Sequence, residues 1–167
     1  MKILLSFLLA LLVSSAFAQY EDGSYTDLEG NVISGLIKIQ PGSAVGGEPM
    51  TILYKEGKRT KQESFGPQDI SSLNIGGRKF VVREDLMLGE GVFFESDFVE
   101  VLIEGRLNLY VHKALMVDRF GGNIRSSYIL EKDGKKKVVS DSTFKTIVPL
   151  FIADDEELIG KIERKVY

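Results

Sequence analysis

From about residue 20 to residue 139, short runs of alternating apolar and polar side chains are broken by turns rich in Gly, Asn and Asp. Period-two alternation punctuated at this rate predicts antiparallel hairpins and not strand–helix–strand units. Two hairpins can be set in register from the sequence alone. In Phe98–Tyr110 a loop at Ile103-Glu104-Gly105, with Gly105 in the left-handed conformation, sets Val101 opposite Leu107 and Val99 opposite Leu109. The same register places Glu100 opposite Asn108 and Phe98 opposite Tyr110 on the other face. In Tyr128–Val139 the Asp133-Gly134 turn pairs Glu131 with Lys136, Ile129 with Val138 and Tyr128 with Val139, matching charge to opposite charge and apolar to apolar.

Weaker hairpin signals stand at Gly30-Asn31, at Glu56-Gly57 and at Gly76-Gly77, where Leu73 can face Phe80. Together the runs predict about eight to ten strands. The glycine-bearing stretch Pro41–Pro49 reads as a flexible loop, and Gly121-Gly122-Asn123 as another. After Ser140 the period lengthens to that of a helix. Ser142 or Thr143 can cap a short helix with Phe144, Ile147, Val148 and Phe151 on one face, which Pro149 bends or ends. A second helix is predicted from Asp154, with Asp155, Glu156 and Glu157 in its first turn and Lys161, Arg164 and Lys165 towards its end, a polarity that complements the helix dipole. The fold class expected is therefore mainly β: an antiparallel sandwich or partly open barrel over residues 19–141, with two short helices in a docked tail, 142–167.

The first residues follow another grammar. Lys2 precedes an apolar stretch from Ile3 to Val13, broken only by Ser6, and the small-residue pattern Ala16-Phe17-Ala18 follows. That is a cleavable secretory signal with its cut between Ala18 and Gln19. The apolar stretch is about 11 to 16 residues long, short of the roughly 20 a spanning helix needs. No stable membrane span is expected after cleavage, and the destination is the periplasm or the medium. Removing residues 1–18 from 167 leaves 149, with 20 basic against 24 acidic side chains and a net charge of −4. Such a balance argues against nucleic acid as a partner, which calls for a basic domain. The one dense basic run, Lys135-Lys136-Lys137, reads as the solvated flank of a hairpin. A chain of this length can bury about 70% of its unfolded surface. It must do so by packing alone, because it has no cysteine.

Candidate chemistry is sparse. The single histidine, His112, shares a strand face with Tyr110 and Asn108, and Glu100 and Ser96 are its conceivable partners; it reads as a surface residue. One histidine and no cysteine leave no zinc ligand set of the usual kinds, and no cofactor is expected. Glu95, Asp97 and Glu100 read as surface acids, and Asp154–Glu157 as helix capping without the alternating ligands of a calcium loop. Gly42–Gly47 lacks the Lys-Ser/Thr ending of a phosphate loop. The aromatics Phe98 and Tyr110, opposite one another in the expected register, mark a candidate ligand or partner face.

The stretches Gly30–Ile37, Phe65–Ile70, Gly76–Val81 and Phe98–Tyr110 together resemble a group of small exported Bacteroidota proteins of uncharacterised function. The resemblance covers most of the mature chain and implies export and a hairpin-rich fold. This chain ends at Tyr167, sooner after its second helix than relatives often do. The resemblance brings no activity or site residue with it. The functional expectation is a non-catalytic envelope or secreted module that binds a protein or an envelope polymer. The alternatives are a small barrel carrying an apolar ligand and, on no motif, a carboxylate-based hydrolase.

Overall fold

A computed structural model follows the hairpin rhythm through eleven strands: β1 (Glu21–Asp27), β2 (Val32–Gln40), β3 (Gly42–Ser43), β4 (Thr51–Lys55), β5 (Glu63–Phe65), β6 (Ile70–Ile75), β7 (Arg78–Met87), β8 (Phe93–Ile103), β9 (Asn108–Asp118), β10 (Gly121–Lys132) and β11 (Lys135–Val139). Among the described residues one helix, α1 (Phe144–Phe151), comes after them. The residues described are 19–89, 91–118, 121–140 and 142–153. The expected leader at 1–18 and the expected second helix from Asp154 lie outside them. No helix among the described residues is long and apolar enough to cross a membrane.

The strands form one open sheet in the order β11-β10-β9-β8-β7-β6-β1-β2-β4-β5, antiparallel at every step, and β3 joins β9 in parallel away from that path. The mainly antiparallel architecture expected from the sequence stands, as a single sheet that does not close. Past β1 the chain lays down β2, β4 and β5 in turn and then returns, so that β6 takes the other side of β1. Local chemistry fixes the hairpins. Between β1 and β2 the Asp27 carboxylate accepts from the Glu29 amide at 2.9 Å, the Asn31 amide at 2.8 Å and the Asn31 side chain at 2.9 Å. These bonds, the Asn31 side chain first, hold the Asp27 carboxyl below its ordinary range. Leu73 stands opposite Phe80 across Gly76-Gly77. All three predicted pairs of the β10–β11 hairpin are present, with positive φ at both Asp133 (51°) and Gly134 (74°).

The β8–β9 hairpin departs from its expected register. Glu100 stands opposite Val111 and Val101 opposite Tyr110, three residues away from the expected alignment, and after a further register slip Ile103 stands opposite Leu109. The reason is the turn: the Asn108 side-chain oxygen accepts from the Gly105 amide at 2.9 Å, drawing residues 104–107 into the loop. Gly105 is not left-handed there. Because strand side chains alternate, an odd shift exchanges faces. Phe98 and Tyr110 therefore point to opposite sides of the sheet.

Each side has its own apolar cluster. Tyr25, Ile37, Ile52, Leu73, Phe80 and Phe98 belong to the first, and Leu86, Phe94, Val99, Tyr110, Ala114 and Ile129 to the second. Asp85, at φ 52°, has no ladder partner and bends β7. Strict alternation would seat Leu86 and Leu88 with Phe80; the bend turns them into the second cluster. Burial pushes the Tyr25 and Tyr54 hydroxyls above their ordinary pKa, and the Tyr54 hydroxyl donates to the Ser34 carbonyl at 3.2 Å.

One stretch read as a loop is strand, and the Pro41–Pro49 loop contains a two-residue strand. Gly121-Gly122-Asn123 opens β10, paired with β9. Gly42 and Ser43 lie along Ala114 and Leu115 of β9, where a two-residue strand leaves no periodicity to detect. Gly42 is buried, and a Cβ there would stand 2.6 Å from the Pro49 carbonyl carbon and 2.7 Å from the Met50 nitrogen. At the far end, α1 packs on β10 and β11. Phe151 is buried, Ile147 and Val148 are half-buried, and the Lys132 ammonium donates to the Phe151 carbonyl at 2.9 Å. Pro149 lies inside the helix, which ends two residues later.

The atoms facing Gly42 are backbone and cannot step aside. Gly42→Ala is expected to cost about 1–3 kcal/mol, whereas Gly57→Ala, with open space at its Cβ, is expected to leave the urea midpoint unchanged. Equal midpoints for the two variants would contradict the close approach.

Candidate functional site

β8 and β9 part company. They pair only where Glu100–Ile103 meets Leu109–Val111; the rest of β8 stays with β7. The side of β9 so vacated is taken by β3 at Ala114 and Leu115, and the Ala44 amide continues the contact to the Leu115 carbonyl at 2.9 Å. Asp97 occupies the fork. Its Oδ1 accepts from the Met50 amide at 2.8 Å and from the Phe98 amide at 2.7 Å, and its Oδ2 lies 2.7 Å from Nε2 of His112. The Phe94 ring packs against the imidazole with centroids 4.7 Å apart.

Asp97 is 0% and His112 1% exposed, so the surface reading of both is corrected. The register explains the miss. The alignment read from the sequence set Ser96 opposite His112 and offered Glu100 as its partner. The true alignment brings His112 level with Val99 and leaves Asp97 on the same face. The available signal was Asp97 itself, an acid set directly before Phe98 and Val99 in a run whose neighbours are core.

An acid and an imidazole together raise the question of a nucleophile. Ser127 on β10 stands directly across from His112 and is buried, so carboxylate, imidazole and hydroxyl lie on three neighbouring strands. No hydrogen bond joins Ser127 to His112 among the described residues. The cavity they share with Ala44, Leu88 and Val92 holds about 10 Å³, room for at most one water. Acyl transfer needs a hydroxyl within about 2.6–3.2 Å of its base and space for a carbonyl. Here the pair closes an interior joint.

The other candidates separate. Glu100 pairs with Lys113 at 2.8 Å, and Glu95 is exposed, so the three strand carboxylates form no group. Phe98, 0% exposed, sits in the first cluster. Tyr110, 2% exposed, sits in the second, where its hydroxyl accepts from Arg83 and its ring lies 4.6 Å beneath that guanidinium. Arg83 also donates to Glu131 at 2.9 Å. Phe98 and Tyr110 thus present no common face to solvent. No cluster of three or more metal-ligating side chains occurs among the described residues. The acidic run Asp154–Glu157 lies outside them.

What the sequence did not disclose is a cleft of about 830 Å³ between the tip of the β10–β11 hairpin and α1. Arg106, Lys132, Lys135, Lys136 and Lys137 line it together with Leu150 and Phe151. Lys136 also reaches the Glu84 carbonyl. Lys135 and Lys137 are exposed and have no carboxylate partner among the described residues. The lysine run was visible in the sequence; the apolar wall opposite it was not, because α1 supplies that wall only once docked.

His112→Ala would leave the Asp97 carboxylate in the interior without its imidazole. The expected cost is about 3–5 kcal/mol in urea denaturation. A loss below about 0.5 kcal/mol, typical of a surface substitution, would contradict the joint.

Compared with protein-family models, with curated proteins and with solved structures, the chain matches none, so the reading of its function rests on its own geometry.

Proposed function

We propose that this chain is a non-catalytic, exported binding module and that the cleft between the β10–β11 hairpin and α1 is its recognition surface. The observation that carries this is five basic side chains around one cavity in a chain of net charge −3. Positive charge gathered at one place on an acidic molecule raises the local concentration of anionic partners and orients their approach. The cavity's size falls in the range of roughly 300–1,000 Å³ that suits a small ligand or a side group of a larger one. The sealed Asp97–His112 pair supports the non-catalytic half of the reading. The leader at residues 1–18, with Ala18 and Gln19 flanking the cut, and the resemblance to small exported Bacteroidota proteins support export. The partner is an anionic molecule met in the envelope or the medium.

A photo-crosslinking side chain in place of Ala153, which is exposed and lines the cleft, is expected to trap one discrete adduct in intact cells. Lys135→Glu with Lys137→Glu is expected to abolish that adduct without lowering the amount of folded protein. An adduct that survives the double reversal would remove the cleft from the account.

A further inference from the structure

We infer that the ligand of this cleft is a free, single-chain anionic amphiphile, with its acidic head at Lys135 and Lys137 and its apolar chain along Leu150 and Phe151. The inference rests on the reading of the cleft as a recognition surface and adds the chemical class of what it takes. A purely polar polyanion would satisfy the lysines and leave the other wall bare. Leu150 is 71% exposed, the highest value among the large hydrophobic side chains described. Leu150, Phe151 and Ala153 line the same cavity as the lysines. The lysine stems are themselves apolar, and their ammonium groups, compact point charges with three donors, suit a carboxylate or phosphate.

A second cavity extends the apolar surface. It holds about 200 Å³, is lined by Leu86, Met87, Leu88, Ile129 and Val138 together with Asp85, and shares Lys136 and Lys137 with the first. β11, which carries both lysines, is the last strand of the sheet. Lys136 and Lys137 therefore border two recesses with apolar lining, and the larger one offers both a place for an acidic head and a place for a chain. A cleft of about 830 Å³ has room for a single chain. The occupant is thus a monomeric amphiphile.

The test uses the mature chain, residues 19–167, and straight-chain carboxylates below their micellar concentrations, followed by isothermal titration. Affinity is expected to rise about fourfold per added methylene from octanoate to decanoate, as apolar burial requires. A neutral decyl maltoside is expected to bind about tenfold more weakly or not at all. Leu150→Asp, and separately Lys135→Glu with Lys137→Glu, are each expected to weaken decanoate by about tenfold or more; all three side chains are exposed, and far-ultraviolet circular dichroism verifies that each variant folds. Octanoate and decanoate binding alike, or no effect of Leu150→Asp, overturns the amphiphile. If inorganic polyphosphate then binds and the double reversal abolishes it, the anionic cleft stands without the apolar half. Binding to phosphatidylglycerol vesicles but not to monomeric decanoate also overturns the inference, in favour of a lipid surface. Binding of none of the three overturns both readings.

Discussion

The Asp97 carboxylate is where the sheet's geometry is decided. A strand pair that separates leaves backbone donors without ladder partners, and in an interior each of these costs free energy unless something else accepts from it. Asp97 answers that need at the fork between β8 and β9. One oxygen takes the amides of Met50 and Phe98, and the other meets His112. Three segments far apart in sequence are joined by one side chain: the approach to β4, the middle of β8 and the middle of β9. A carboxylate in such a place is tolerated only with its partners present, because an unpaired buried charge is far costlier than the pair.

The apolar architecture follows from that joint. With β8 free of β9 over its first half, the far ends of β7 and β8 contribute Leu86 and Phe94 to the cluster of Val99, Tyr110 and Ala114. Phe98, next to Asp97, points the other way into the cluster around Ile37, Ile52 and Leu73. The sheet thereby gathers an apolar cluster on each face without a cysteine. The imidazole and carboxylate most suggestive of chemistry are consumed by this construction. Groups free to meet a partner lie instead at the far edge, on β11 and α1, where the scaffold holds lysines on one side of a cleft and apolar side chains on the other.

Much of the fold was legible because hairpins are local. Asp133-Gly134 and Gly76-Gly77 announce their turns by residue type, and the registers drawn from them hold. The Phe98–Tyr110 register was not legible, since Asn108 lengthens its loop by a side-chain bond that no pattern of apolar residues records. That one shift cascades: it separates Phe98 from Tyr110, hides the partner of His112 and makes a core pair look like surface. β3 was missed for a different reason, being too short for any periodicity. The basic half of the cleft could be read from Lys135–Lys137, yet its apolar half depends on where α1 docks, a tertiary fact.

Amide exchange at Met50 tests the role of Asp97 most directly. Met50 precedes β4, and its N–H has the Asp97 carboxylate as its acceptor. Native-state exchange should therefore find this amide protected to the free energy of global unfolding, like the central ladder amides. Exchange at the rate of an exposed loop amide would contradict the account, because the fork would then be held by something other than Asp97.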